Sequence, residues 1–284
     1  MAATYTELWQ RLQSIKNLQT QPATVARITQ LMQNPATNAN ELGYAIKRDP
    51  VIASSVLKLV NSAFYGFPGK ISSISHAVAL LGLNTVKNIV LTASLLESFK
   101  PHKTKDGFST EELWKHSFAC AVAAQCLAET LQFKDKEECF IAGLLHDIGK
   151  MLMFQLIQED FVRVFKKAQL SKTLFHDSEL EILGTDHQEV GGMLTEQWRL
   201  PVQISNAVSS HHCPNPQKEG FMISAIVHSA DIFARALNYG SGGDEKIPII
   251  NEYVWNTLEL DNVSLIPLFD NIKNEMEKAG TFFQ

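Results

Sequence analysis

The stretch Leu144-Leu145-His146-Asp147-Ile148-Gly149-Lys150 places an imidazole and a carboxylate on adjacent residues. Both are ligand types for one cation, and the carboxylate has a second oxygen to offer to another. Gly149 can end a helix and let Lys150 turn toward the same cleft. An isolated His-Asp pair says little, so its weight depends on its company. That company is His116 in Trp114-Lys115-His116-Ser117, His187 in Thr185-Asp186-His187-Gln188-Glu189, the pair His211-His212, and Asp231 in His228-Ser229-Ala230-Asp231-Ile232. Taken singly, each is more often a satisfied polar core or rim residue than a ligand. Taken in this order, they form a set of imidazole and carboxylate donors suited to iron, manganese, zinc or nickel rather than to magnesium alone. His76, His102, His176 and His228 have no place in that series and are read as structural.

The elements that must position these donors are helices. Apolar residues recur at helical spacing, with Leu31, Leu42, Ile46, Leu57, Leu59 and Val60 among the early positions, and no segment sustains a two-residue alternation. The expectation is an all-α, multi-helical fold of about ten to fifteen helices at ordinary helix length. His116 falls near the start of a long helix whose apolar stripe includes Ala119, Val122, Ala123, Cys126 and Leu127. His146 falls at the end of a helical pattern beginning near Lys136. Ser109 and Glu112 have capping-box spacing, which assigns Glu112 to a helix start. Pro22 and Pro50 can open helices, Asn34-Pro35 breaks one, and Gly66-Phe67-Pro68-Gly69 reads as a loop. The polar stretch from Pro101 to Gly107 suggests two subdomains, residues 1–100 and 101–284. Tyr239 to Lys246 reads as a mobile surface loop.

Composition narrows the classes. With 284 residues, 45% of them hydrophobic and 19% charged, the chain can bury a sizeable core. A net charge of −5 gives no basic face for a phosphate backbone, so no nucleic-acid partner is expected. No apolar run approaches the ~20 residues of a membrane span and the N-terminus has no signal-type core, so a cytoplasmic protein without a membrane partner is expected. Cys120, Cys126, Cys139 and Cys213 show no CxxC pairing, and three of them sit in apolar helical patterns as buried free thiols.

His116, His146-Asp147 and Asp231 resemble the H…HD…D pattern of HD-domain metal-dependent phosphohydrolases. His187 and His211-His212 resemble the additional histidines of HD-GYP cyclic-dinucleotide phosphodiesterases, and the likeness spans about residues 110 to 235. It implies one metal held by His116, His146, Asp147 and Asp231, and a second held by Asp147, His187, His211 and His212, with Asp147 bridging and Lys150 facing a phosphate. It also offers Glu112, one helical turn before His116, as an additional carboxylate ligand, against which the capping box is the preferred reading. The first hundred residues carry a separate likeness. ELGYAIKRDP ending at Pro50, LKLVNSAFYG ending at Gly66, ISSI from Ile71 and AVALLG from Ala77 are closely similar to a run found in HDOD domains. That family joins such a segment to an HD-like half in one helical module. The Gly-Tyr-Pro loop of the HD-GYP enzymes is missing, since Cys213-Pro214-Asn215-Pro216-Gln217-Lys218-Glu219-Gly220 stands between His212 and the next apolar helix.

The HDOD resemblance implies a bacterial signal-transduction module, a degenerate HD domain with a signalling protein as partner, and this chain's retained ligands add a site for one or two divalent transition-metal ions, iron or manganese ahead of zinc or nickel. Phe64, Tyr65 and Phe67 are then either core residues or a partner-facing aromatic patch. The alternative is a metal-dependent phosphohydrolase acting on a phosphoester or nucleotide, with Asp147 and Lys150 as its catalytic residues and a phosphate-containing ligand.

Overall fold

The structure, a computed structural model, describes residues 30, 31, 34, 37–47, 50–62, 65, 71–98 and 102–279. Among them the regular elements are helices: α1 Ala39–Lys47, α2 Pro50–Val60, α3 Ile74–Leu81, α4 Leu83–Ser98, α5 Thr110–Thr130, α6 Lys136–Leu145 and α7 Ile148–Leu156. After them come α8 Gln158–Ser171, α9 Phe175–Leu183, α10 His187–Gln197, α11 Val202–Val208, α12 Phe221–Ala236, α13 Glu252–Leu258 and α14 Asn262–Ala279. No strand occurs among the described residues, and the one β-type pairing is an isolated antiparallel bridge between Lys103 and Ser109. The fold is all-α, as the periodicity and the family resemblance both imply.

Capping chemistry sets the helix starts that matter for the site. Ser109 accepts a hydrogen bond from the Glu112 backbone N–H at the start of α5, and Asp186 accepts one from Glu189 N–H at the start of α10. Pro50 is the first residue of α2, where its missing N–H costs nothing. Pro22, Pro35, Gly66 to Gly69, Phe64, Phe67 and Pro101 lie outside the described residues.

Contacts divide the chain into two units. In the first, spanning described residues 102–269, the long α5 packs against α6 and α12, α7 against α10, and α11 against α12. The α5–α6 contact has no room for a side chain at its centre, because a Cβ on Gly143 would fall 2.9 Å from Ala121 Cα. That close approach brings the C-terminal end of α6 beside the first turns of α5. The second unit combines the described residues of 21–100 with 270–279. Its core is apolar: Leu42, Ile46, Val56, Val60, Ile71, Ile74, Val86 and Val90 are buried together, with Tyr65 packed against them. Tyr65 is therefore a core-packing residue, and burial pushes its hydroxyl above the ordinary tyrosine range. Asn61 closes the segment after α2, donating to Leu57 O at 2.7 Å and to Ile71 O at 2.8 Å, and accepting from Ile71 N–H at 2.7 Å.

The run Lys136–Leu156 is the one described stretch long and apolar enough to cross a membrane, but 89% of its window is buried inside the fold and His146-Asp147 interrupts it. Cys120, Cys126 and Cys139 are buried free thiols and Cys213 is exposed.

The segment Tyr239 to Lys246 differs from its expected role. Gly242 and Gly243 are buried, Ser241 N–H donates to Glu112 O, and the Asp244 carboxylate accepts from Arg235 Nη1 at 3.0 Å and Phe175 N–H at 2.9 Å. Its glycines are there for close approach rather than mobility: a Cβ on Gly240, whose φ is +65°, would fall 2.3 Å from the His116 nitrogen.

Candidate metal centre

Five parts of the first unit converge on one point. His116 projects from α5 and Asp231 from α12, both inside long helices, while His146 and Asp147 form the turn between α6 and α7. His187 is the first residue of α10, and His211 and His212 follow α11. Gly149 makes the α7–α10 contact possible, because a Cβ there would fall 2.0 Å from His187 O. Any side chain at that position would push His187 away from Asp147.

The two carboxylate oxygens of Asp147 face different histidines. Oδ2 lies 3.4 Å from His146 Nε2 and 3.8 Å from His116 Nε2, while Oδ1 lies 3.2 Å from His187 Nε2 and 3.9 Å from His211 Nε2. Asp231 Oδ1 joins the first side, 2.9 Å from His116 Nε2 and 3.8 Å from His146 Nε2. On the other side His187 Nε2 is 3.0 Å from His212 Nε2 and 3.3 Å from His211 Nε2. Three overlapping triads result, His116/His146/Asp231, His146/Asp147/His211 and His187/His211/His212, each with ligand atoms within 4.8 Å of one another.

The donor atoms fit cations. His116 Nε2, His146 Nε2 and Asp147 Oδ1 are buried and have no hydrogen-bond partner; the 2.9 Å approach of His116 to Asp231 is not directed as a hydrogen bond. Buried polar atoms left in that state cost about 1–3 kcal/mol each, which a shared divalent ion would remove. The opposite nitrogens are occupied. His146 Nδ1 lies 2.7 Å from Gly143 O, His211 Nδ1 lies 2.9 Å from Val208 O, and His187 Nδ1 bonds the Glu179 carboxylate. A proton held on Nδ1 by these acceptors leaves each Nε2 lone pair pointing inward, as metal ligation requires.

Protonation states agree. Burial holds His187, His212 and His116 below the ordinary histidine range, and burial followed by the field of His146 lowers His211 to about 3. Burial alone would raise Asp147 and Asp231, but His146 and Lys150 beside the first, and Arg235 and His116 beside the second, hold both well below the usual carboxylate range. His146 is the exception: burial lowers it, yet Asp147 draws it upward overall, and a bound cation would displace that proton.

The remaining charges are internal. Lys150 is fully buried; its Nζ donates to Asp147 Oδ2 and to Gly242 O, both at 2.8 Å, and lies 5.2 Å from the Phe175 ring centroid. It enters the cluster from the first turn of α7, with Gly149 inside that helix rather than ending one, and its ammonium is already bound to protein oxygens. Arg235 bridges Asp231 Oδ1 at 2.8 Å and Asp244 Oδ1 at 3.0 Å. Glu179, Arg235, Asp244 and Gly242 were not singled out from sequence. Arg235 is legible in retrospect, four residues after Asp231 on one helix face, whereas the others arrive by tertiary contact. Glu112 stays outside the cluster, its carboxylate 2.8 Å from Lys115. His228 is structural as read, its ring bridging His211 O and Asn251 N–H. His176 sits at the rim, 3.0 Å from Asp186 with its ring centroid 4.9 Å from that of His212. His212 is the one partly exposed ligand; His116, His146, Asp147, His187, His211 and Asp231 are each at most 2% exposed.

The HDOD domain family model matches residues 18–214, which includes every candidate ligand except Asp231. A Geobacter sulfurreducens HDOD domain protein of unknown function is similar over 97% of this chain and 98% of its own, at 26% identity and a TM-score of 0.81. A Shewanella amazonensis protein, provisionally named a phosphohydrolase, has the same fold over 96% of this chain and 97% of its own, at 22% identity and a TM-score of 0.74. An uncharacterized Treponema pallidum protein is 24% identical over 232 residues, 80% of this chain and 44% of that protein. The chain thus spans less than half the length of this curated relative.

Proposed function

Because the chain belongs to the HDOD domain family, we propose that it is a regulatory module in which a divalent transition metal, iron or manganese before zinc or nickel, braces the unit of residues 102–269. The observation that carries this reading is the enclosure of the ligands: all but His212 are at most 2% exposed, and the two acids are already engaged by Lys150 and Arg235. A site closed in this way suits cross-linking five chain segments more than admitting a large phosphoester. Its signal would pass through protein contacts in the cytoplasm, with neither nucleic acid nor membrane as partner.

A second reading, metal-dependent phosphohydrolysis, is favoured by one specific feature. Asp147 turns one oxygen toward each histidine group, and the second group ends at the partly exposed His212. A metal pair there would supply Lewis acidity and an activated water. Asp147 would hold both ions, while Lys150 would keep the Asp147 carboxylate ionised and oriented.

Turnover assays on the metal-loaded protein separate the two readings. Cyclic dinucleotides should not be hydrolysed, because orienting a large substrate needs binding groups beyond the ligands themselves. Any activity should appear first on small phosphomonoesters and vanish in Asp147→Ala. Robust metal-dependent turnover of a cyclic dinucleotide would reject the regulatory reading.

A further inference from the structure

Glu179, on α9, is 0% exposed, and nothing in the ligand series called attention to it. Its Oε2 contacts both His187 Nδ1 and the His187 backbone nitrogen, the latter at 3.2 Å. Oε2 accepts this backbone N–H, which orients it to accept from Nδ1 as well. The other carboxyl oxygen, Oε1, is buried without a hydrogen-bond partner. Burial pushes the Glu179 carboxyl well above the ordinary glutamate range, and a buried polar group with so few partners costs stability, so its placement behind a single histidine calls for a role there.

The two histidine groups differ in their charge supply. His116 and His146 share the ionised Asp231, whereas His187, His211 and His212 have no carboxylate of their own beyond one oxygen of Asp147. His146 and His211 direct Nδ1 at neutral backbone carbonyls, Gly143 O and Val208 O; His187 alone directs it at a carboxylate. A side-chain oxygen that accepts the Nδ1 proton fixes the tautomer and the ring orientation, leaving the far nitrogen free to ligate.

We propose that Glu179 is the positioning residue of the second group: by accepting the His187 Nδ1 proton, it aims the Nε2 lone pair at the point shared by Asp147 Oδ1, His211 and His212. The proposal rests on the metal reading for its consequence but not for its geometry.

Two measurements test it on the full chain. Long-range proton–nitrogen correlation spectra of the metal-free protein should show His187 as the Nδ1–H tautomer, with the pattern lost or mixed in Glu179→Ala. Cobalt titration followed by absorbance should show weaker binding of the second ion in Glu179→Ala, by about 10–100-fold, with the first ion unchanged. Glu179→Gln, which keeps a carbonyl acceptor, should recover part of that loss. In His116→Ala the weakened ion should be the first one, which identifies the sites. An Nε2–H tautomer for His187 in the wild type, or equal second-ion affinity in Glu179→Ala, would overturn the proposal. If the wild type takes up no cobalt, the metal reading falls, and the tautomer spectra alone decide Glu179: an Nδ1–H form that survives in Glu179→Gln but is lost in Glu179→Ala supports it. Should Glu179→Ala fail to fold, the Gln and Asp variants carry the comparison.

Discussion

The two units solve the problem of a stable interior in opposite ways. Residues 42–93 of the second unit bury mainly aliphatic side chains around α1–α4, with Lys87, Asn88 and Thr92 the polar side chains buried there and Asn61 bracing the end of α2. The unit of residues 102–269 instead buries four histidines of the ligand set, Asp147, Asp231, Glu179, Asp244 and Lys150 within one region, with the side chain of Arg235 beside them only 7% exposed. An aliphatic core needs no further component, since burial of each large side chain contributes roughly 1.5–3 kcal/mol. A charged core with orphaned nitrogens has room in its chemistry for a cation. On the proposed metal reading, the contrast marks the half whose stability should depend on metal.

The largest effect should come from Asp147→Ala. It removes the carboxylate shared by both histidine groups and leaves the Lys150 ammonium buried against Gly242 O alone. Leaving one member of a buried ion pair unmatched costs about 3–5 kcal/mol, and metal content should collapse with it, as thermal melts and elemental analysis would report. A variant that keeps its metal and its melting temperature would break the contrast.

Ile46→Ala sharpens it from the other side. Ile46 is fully buried in the aliphatic core, so truncation should cost about 2–5 kcal/mol while metal content per folded chain stays at the wild-type value. Loss of metal in this variant would mean that the two units are not independent in this respect.

A smaller effect is expected from acid in the metal-free protein. His187, His211 and His212 have folded pKa values below the ordinary value, His211 at about 3. The unfolded chain then binds protons that the folded one refuses. Their contribution is fully present above the unfolded value of about 6.5 and is lost as pH falls from there toward 3. Urea melts between pH 7 and 4 should show this decline, steeper for wild type than for His211→Gln. A flat profile would contradict neutral, buried imidazoles.

The legible part of this molecule was set by residue chemistry. Helical periodicity and the Asp-His series required no tertiary information, and the run ending at Gly82 carried the family resemblance. Contacts made across the fold were not legible. Glu179 reaches His187 across the break between α9 and α10, where Gly184 ends α9 with a φ of +70°. The Gly-rich stretch from Gly240 to Gly243 has a composition shared by flexible linkers and by backbone that must approach another backbone closely; the 2.3 Å a Cβ on Gly240 would leave to His116 decides for the second. Lys150 was read toward a phosphate because its buried acceptor, Gly242 O, lies 92 residues away.

The central claim is that this buried cluster holds a transition metal. The most direct measurement is the metal content of the protein purified without chelators, read with the thermal shift on adding iron, manganese or zinc to the stripped chain. One or two transition-metal ions per chain, with a rise in melting temperature on reloading, is the expected result. No bound metal and no shift with any of the three would contradict the account.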